Sequence, residues 1–118
     1  MVGIKRIKRL KILPPTLRER ERYIRFKIVS EEKIVFSDLE QALTNYFLDY
    51  YGEFLFSQFS LKLIKNLWKE KKQDGVIKCN HLSVPWVIAG LGIIDRIGDQ
   101  RIIFKIVKIS GTLKKVLS

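Results

Sequence analysis

The chain has 118 residues, of which 47% are hydrophobic, and its 23 Lys and Arg against 12 Asp and Glu give a formal net charge of +11. This length and apolar content predict one domain with a core and exclude wholesale disorder. A single Cys excludes a disulfide scaffold, and the longest uncharged apolar run, Val84 to Ile94, is far below the roughly 20 residues that span a bilayer.

Pro14 and Pro15 separate a basic N-terminal arm, residues 1–17, from a domain at residues 18–118. The arm lacks the apolar centre and cleavage site of a secretory signal, so we expect a cytoplasmic protein with no membrane partner. Residues 20–30 alternate apolar and polar side chains, which predicts a half-buried strand. Its core face is predicted to be Ile24, Phe26 and Ile28.

A helix is predicted next, with Ser37 as its cap and Gly52 at its end. Residues 60–69 predict a second strand. The pair Asp74-Gly75 is typical of a hairpin turn into a third strand.

A second helix is predicted from Ser83 to about Ile97, where Gly98 stops it. Its core stripe is predicted to be Val87, Leu91 and Ile94. Residues 101–110 are rich in β-branched side chains and predict a fourth strand. After Gly111, a short basic C-terminal helix is predicted.

The order β-α-β-β-α-β is typical of an α+β, ferredoxin-like or RNA-recognition-motif-like sandwich. Such a fold has a four-stranded antiparallel sheet, strand order 4-1-3-2, with the helices on one face. The start of the first strand should therefore meet the end of the last strand.

Positive charge is concentrated at both ends of the chain. Residues 1–27 carry a net charge of +8, residues 28–107 are neutral, and residues 108–118 carry +3. Because the fold should bring the ends together, we expect one basic patch that binds nucleic acid, although a solvated charged face is the alternative. The predicted contacts from charge and strand order are Lys5, Arg6, Lys8, Arg9, Lys11, Arg18, Arg20, Arg22, Arg25, Lys108, Lys114 and Lys115.

The third predicted strand, within residues 75–80, carries no aromatic side chain. Stacking of RNA bases on that strand is therefore not expected, although Tyr23 on the first strand offers one stacking surface. Recognition of structured RNA through its backbone and shape is the better prediction.

Two apolar groups exceed what a helix on a sheet needs. Trp86, Ile93 and Ile97 lie outside the core stripe of the second helix and predict a protein-partner surface. The alternative is that the basic arm or the C-terminal helix covers them. The run Phe54-Leu55-Phe56 lies in a predicted loop, where it favours a partner or self-association, or else folds back on the core.

Catalytic and metal chemistry have little support. His81 is the only His, and together with Cys79 it provides too few ligands for a zinc site. Cys79 is expected to be a small core residue. Gly90 and Gly92 are interpreted as close-packing positions in an apolar helix. We therefore expect no catalytic residue and no cofactor bound by the protein.

Three segments of the chain form a recognisable combination: Leu13-Pro14-Pro15-Thr16-Leu17-Arg18 leading into Arg22-Tyr23-Ile24, then Gly75-Val76-Ile77-Lys78-Cys79, and then Ile109-Ser110-Gly111-Thr112-Leu113-Lys114-Lys115. Together they resemble the archaeal and eukaryotic ribonuclease P protein component 2 family. The resemblance covers residues 11–115. By motif match, it adds Ser110, Gly111 and Thr112 to the RNA-contacting positions.

The resemblance implies an accessory subunit of ribonuclease P, which removes the 5′ leader from precursor tRNA. It implies that the RNA subunit carries the catalytic magnesium, and that the partners are this RNA, precursor tRNA, protein component 3 and other protein subunits. Two alternatives stay open. One is a structured-RNA-binding module of the ribosome or of tRNA, and the other is a small metabolic regulator or enzyme with a ferredoxin-like sheet.

Overall fold

An antiparallel sheet of five strands forms the centre of the structure, a computed structural model that describes residues 20–118. The strands are β1 (Glu21–Ser30), β2 (Lys62–Leu63), β3 (Asp74–Asn80), β4 (Arg96–Ile97) and β5 (Gln100–Ser110). The α-helices are α1 (Phe36–Gln58), α2 (Val84–Ile93) and α3 (Leu113–Leu117). The predicted basic arm lies outside the described residues.

The order across the sheet is β2-β3-β1-β5-β4, with every neighbouring pair antiparallel. The predicted pairing of the first strand with the last long strand is confirmed, since β1 pairs with β5 along almost its whole length. The predicted α+β class is also confirmed. The sheet has five strands, however, where the sequence predicts four.

The fifth strand, β4, arises because the second helix ends at Ile93, four residues earlier than predicted. Ile94 is extended, with φ −69° and ψ 112°, and Arg96 and Ile97 then pair with β5. Gly98, with φ +61°, makes the turn of this hairpin and does not stop a helix. The prediction that Ile97 is left exposed is wrong, because in β4 its side chain turns into the core and is 7% exposed.

Most of the outer edge of β5 is open in the described chain. The short strand β4 pairs only with Gln100 and Arg101, and one further hydrogen bond joins the Ile102 amide to the Asp95 carbonyl. From Ile103 to Ser110 no described strand lies on this edge.

One face of the sheet carries the core. The β1 side chains predicted to be buried, Ile24, Phe26 and Ile28, are at most 2% exposed. Helices α1 and α2 pack on this face through two apolar stripes, as the periodicity predicts. The stripes are Leu39, Leu43 and Phe47 on α1, and Val87 and Leu91 on α2, followed by the predicted Ile94.

Gly90 sets the spacing between the two helices. A Cβ atom at this position would lie 2.7 Å from Cζ of Phe47, so only glycine allows the ring to approach α2 this closely. The close-packing interpretation is therefore confirmed for Gly90. It is wrong for Gly92, which is exposed and has no atom within 4 Å of its Cβ position.

Helix α1 is longer than predicted at its C-terminal end. Gly52 adopts φ +79° and ψ 163°, a conformation that is essentially restricted to glycine, and the helix resumes beyond this kink. The run Phe54-Leu55-Phe56 is therefore helical, and the prediction of a loop there is wrong. The predicted Ser37 cap is also wrong, because Val35 occupies the cap position without a side-chain hydrogen bond.

The β2–β3 connection also differs from the prediction. Strand β2 has two residues, and the turn is formed by residues 70–73, closed by hydrogen bonds between Lys69 and Asp74. Gly75 lies inside β3, where a Cβ would be 2.8 Å from the Trp68 ring and 2.9 Å from the Phe26 ring. Asp74-Gly75 is thus a close-packing site and not the turn.

Gln73 fixes this turn to the rest of the fold. Its side-chain oxygen accepts a hydrogen bond from the Ile34 amide at 3.0 Å, and its side-chain nitrogen donates to the Ile28 carbonyl at 3.3 Å and to Ser30 Oγ at 2.8 Å. The side chain is buried. Its polar atoms are therefore satisfied inside the protein, as burial requires.

The C-terminal helix α3 packs on the other face of the sheet. Val116 is fully buried, and Leu117 lines a small cavity together with Arg25, Asp74 and Val76. The prediction of a short C-terminal helix is confirmed, but α3 lies opposite α1 and α2. The helices are therefore not all on one face.

Candidate nucleic-acid interface

The start of β1 and the end of β5 lie side by side, as the strand order predicts. Tyr23 is directly opposite Ser110, and Arg25 is opposite Lys108. A Cβ atom on Gly111 would be 3.3 Å from Nη1 of Arg22, so the Arg22 guanidinium lies against this glycine. The structure thus brings together the described members of the two basic segments.

Ser110 and Thr112 shape the turn between β5 and α3. The Ser110 hydroxyl accepts a hydrogen bond from the Thr112 amide at 3.3 Å, and the Thr112 hydroxyl accepts one from the Lys115 amide at 3.3 Å. Thr112 is therefore the N-cap of α3. This turn holds the exposed Lys114 and Lys115 beside the end of the sheet.

Arg20 belongs to the same end of the sheet through its backbone. Its amide donates to Nδ1 of His81 at 3.0 Å, and its carbonyl accepts from the His81 amide at 2.7 Å. The Arg20 side chain is exposed. We call Arg20, Arg22, Lys108, Gly111, Lys114 and Lys115 the end patch.

Arg25 differs from the other predicted contacts because its charge already has a partner. Its Nη2 is 2.7 Å from Oδ2 of Asp74, and its Nε donates to both carboxylate oxygens at 3.2 Å. The pKa of Arg25 is raised, first by this hydrogen bond and then by the charge of Asp74. Asp74 lies 49 residues away in the sequence, so no local pattern reveals this pair.

Six predicted contacts lie outside the described residues. They are Lys5, Arg6, Lys8, Arg9, Lys11 and Arg18.

Lysines on the sheet face opposite the core are missed by the sequence reasoning. Lys27 lies directly opposite Lys105 across β1 and β5, and Lys62 lies opposite Lys78 across β2 and β3. The alternation of β1 already places Lys27 beside Tyr23 and Arg25. Finding Lys105 needs the register between strands nearly 80 residues apart, which one sequence does not give.

The surplus apolar face of α2 is exposed, as predicted, at two of its three residues. Trp86 is 52% exposed and Ile93 is 49% exposed, whereas Ile97 is buried. The hydroxyl of Tyr51 donates to the Trp86 carbonyl at 2.7 Å, and the two rings meet edge to face at 5.8 Å. Burial raises the pKa of Tyr51, in keeping with its place at the junction of α1 and α2.

The second apolar group divides between surface and core. Phe54 is 43% exposed, and Leu55 is partly buried. Phe56 instead packs edge to face on the buried Phe47, with ring centroids 5.9 Å apart. For Phe56 the alternative, that this segment folds back on the core, is therefore the observed one. We call the exposed Tyr50, Phe54, Trp86 and Ile93 the α1–α2 patch.

The described residues show no arrangement typical of catalysis. Burial raises the pKa of the Cys79 thiol to about 11, so this side chain is a core residue, as predicted, and a poor nucleophile. Within residues 20–118 no three His, Cys, Asp or Glu side chains form a group that could hold a metal ion. The same residues contain no helix with the length and hydropathy of a membrane span.

Comparison with known proteins gives concordant results. The model of the Rpp14/Pop5 family matches residues 22–118. Ribonuclease P protein component 2 of Pyrococcus furiosus is 36% identical over 108 residues, covering 92% of this chain and 88% of the relative. Its counterpart in Archaeoglobus fulgidus is 33% identical over 107 residues, covering 90% of this chain and 93% of the relative.

A solved structure shares the fold. A chain in the cryo-EM structure of yeast ribonuclease MRP superposes with a TM-score of 0.63 at 15% sequence identity. The match covers 81% of this chain and 77% of that chain.

Proposed function

This chain belongs to the Rpp14/Pop5 family of ribonuclease P protein subunits, and we propose that it binds and supports the catalytic RNA of that ribonucleoprotein. Ribonuclease P removes the 5′ leader from precursor tRNA. In this proposal the RNA subunit holds the magnesium ions and performs the cleavage in the cytoplasm. The protein supplies cations and no catalytic residue.

The observation that carries the proposal is the end patch. Residues 108–118 contain three Lys and no Asp or Glu, and the pairing of β1 with β5 brings this segment to the end of the sheet where Arg20 and Arg22 lie. Cations at such a surface neutralise RNA phosphates and release the counterions bound to them, so affinity falls steeply with salt. Phosphates that a folded RNA brings together would repel one another less when this surface lies against them.

The test uses Lys114→Gln/Lys115→Gln. Ribonuclease P RNA, the partner subunits and this protein are combined, and cleavage of precursor tRNA is measured over a magnesium series. We expect the wild-type protein to lower the magnesium requirement, and the variant to do so less. The slope of log affinity against log salt should become shallower by about 0.7–0.9 for each phosphate that the variant no longer neutralises.

The charge-matched control is Lys33→Gln/Arg96→Gln. Both side chains are exposed at the far end of β1 and β5, where Lys33 follows Glu31 and Glu32 in the chain and Arg96 lies near Asp95 and Asp99. This control should keep the wild-type slope. Equal slopes for the two variants contradict the end patch, and equal affinity for unrelated structured RNAs favours a general RNA-binding module of the ribosome or of tRNA.

We also propose that the α1–α2 patch binds another protein subunit, with component 3 as the first candidate. The patch is apolar and neutral in the residues that define it, whereas the end patch is charged, so the two surfaces suit different partners. Trp86→Asp should leave the isolated protein folded, because the ring is half exposed, and should abolish copurification with component 3.

Val35→Asp is the matched control for this test. Val35 is 45% exposed and occupies the N-cap of α1, where Asp is favoured, so the control should be at least as stable as wild type. Loss of copurification in both variants, or in neither, contradicts the assignment. Self-association through the patch is the alternative outcome, and sedimentation of the purified protein measures it.

For the fold, we propose a ferredoxin-like sheet to which β4 has been added at one edge. The order β2-β3-β1-β5, with α1 between β1 and β2 and α2 between β3 and β5, supports this description.

A further inference from the structure

The sheet face opposite α1 and α2 places cations directly across from cations. The pairs are Lys27 with Lys105, Arg25 with Lys108, and Lys62 with Lys78. Directly opposite residues in an antiparallel pair have their Cβ atoms about 4.5–5.5 Å apart, and like charges there destabilise the sheet. A repeated arrangement of this kind calls for a compensating charge.

Acidic side chains of the described residues pair with some of these cations but not with all of them. Asp74 is the register neighbour of Lys27, but its carboxylate is paired with Arg25. Glu21 lies 3.2 Å from Lys78. No other ion pair occurs within residues 20–118, so the pair of Lys27 and Lys105 is uncompensated there, and both residues are exposed.

This lysine pair is continuous with the end patch. Lys108 follows Lys105 along β5, and Gly111 is six residues beyond Lys105, or about 20 Å at the rise of an extended strand. Helix α3 packs on the same face against β1 and β5, where Leu117 lies near Arg25 and Val76 and the Lys108 ammonium donates to Ser118 Oγ at 3.4 Å. On the part of this face that lies farther from Gly111, the side chains of Lys27, Val29, Ile103 and Lys105 are exposed.

Apolar side chains flank the lysines on this part of the face. Val29 lies directly opposite Ile103, one position further along the same face, and the two are 44% and 62% exposed. Val107, at the bulge in β5, is 53% exposed. The surface therefore offers cations for phosphates and apolar contacts for the sugars and bases between them.

We propose that Lys27 and Lys105 bind the phosphate backbone of RNA, so that a bound RNA segment runs from the end patch along β1 and β5 toward Val29 and Ile103. This inference rests on the proposed function and extends it to a surface that the motifs do not contain. Uncompensated cations favour RNA over a protein partner, because a polyanion relieves their repulsion along the whole length of the surface.

The experiment uses Lys27→Gln/Lys105→Gln, with Lys71→Gln/Lys72→Gln as the charge-matched control, because these two lysines are exposed in the β2–β3 turn and β1 separates β3 from β5. Binding to in-vitro-transcribed ribonuclease P RNA is measured over a potassium chloride series, and the melting temperature of each protein is measured without RNA. For Lys27→Gln/Lys105→Gln, which we call the sheet variant, the slope of log affinity against log salt should become shallower by about 0.7–0.9 for each phosphate left without its lysine. Its melting temperature should stay or rise, because the variant removes a repulsive pair.

If the lysines bind RNA, the variant should bind RNA more weakly while its melting temperature stays the same or rises. This combination separates a binding role from a structural one. A lower melting temperature together with weaker binding overturns the inference, because the lysines then act through the fold. If the sheet variant keeps the wild-type salt slope, the inference is overturned. The proposed function still stands in that case, provided that Lys114→Gln/Lys115→Gln makes the slope shallower.

Two other results would also overturn the inference that Lys27 and Lys105 bind RNA. If the wild-type protein has no affinity for the RNA, the proposed function fails and the inference fails with it. If the sheet variant keeps its RNA slope but no longer copurifies with component 3, the surface binds protein and the inference is overturned.

Discussion

Gly90 gives the sharpest test of the packing between α1 and α2. In Gly90→Ala the added Cβ would lie 2.7 Å from Cζ and 2.8 Å from Cε1 of Phe47, and 3.3 Å from Cε2 of Tyr51. Phe47 is fully buried and is held edge to face by Tyr51, Phe56 and Phe59, so its ring has little room to move away. The substitution therefore overpacks the core.

The magnitude follows from two opposing effects. Overpacking costs about 1–3 kcal/mol, toward the upper end here because the distances fall below 3.0 Å against a fixed ring. Replacing Gly by Ala in a helix returns about 1 kcal/mol. We expect Gly90→Ala to lower the free energy of unfolding by about 1–2 kcal/mol, or roughly 4–8 °C in melting temperature.

Gly92→Ala is the matched control in the same helix. Its added Cβ has no atom within 4 Å, so only the propensity effect remains, and we expect a gain of up to about 1 kcal/mol. Urea denaturation followed by far-UV circular dichroism measures both variants. If Gly90→Ala is as stable as Gly92→Ala, the helices do not approach each other as described.

Two further predictions concern buried polar chemistry. Gln73→Leu should lower the free energy of unfolding by about 1–3 kcal/mol, because the Ile34 amide loses its acceptor, whereas the exposed Gln41→Leu should stay within about 0.5 kcal/mol of wild type. Similar urea midpoints for these two variants would contradict the structural role assigned to the Gln73 side-chain amide. With a pKa of about 11, the Cys79 thiol should be roughly one part in a thousand thiolate at pH 8, so the native protein should resist a disulfide reagent that labels it in urea. Because burial raises this pKa from 9.0, the contribution of Cys79 to stability is complete below pH 9 and is lost as the pH rises toward 11. Rapid labelling of the native protein at pH 8 contradicts the burial of this thiol.

The sequence predicts well what depends on periodicity. The alternation of β1 identifies Ile24, Phe26 and Ile28, and the spacing in α2 identifies Val87 and Leu91, because burial of one face imposes both patterns. The meeting of β1 and β5 also follows from the order of the elements. It requires no knowledge of any single side-chain contact.

Several of the wrong predictions concern glycine, because this residue can end a helix, form a turn or leave room for a neighbouring side chain. Gly52 ends a helix by the usual rule, yet here it bends α1 so that Phe56 and Phe59 pack on Phe47. Gly75 resembles a turn residue but clears space for two rings. Tertiary packing decides among these uses, and it is set by residues distant in sequence.

The sequence likewise predicts one part of the candidate site and not another. The clustering of charge identifies Arg22, Lys108, Lys114 and Lys115 as neighbours of one end of the sheet. It does not distinguish Arg25, whose partner Asp74 lies on another strand. Charge composition therefore locates the end patch but does not separate available cations from those already paired.

The open edge of β5 has a consequence for how the protein behaves at high concentration. From Ile103 to Ser110 the edge has no described partner strand, and its exposed β-branched side chains are typical of segments that pair with other chains and aggregate. Lys105, Lys108 and the bulge at Val107 are the features that oppose such pairing. Salt concentrations that screen these lysines should therefore promote intermolecular sheet formation, and RNA bound along the strand should suppress it by occupying the surface beside the edge.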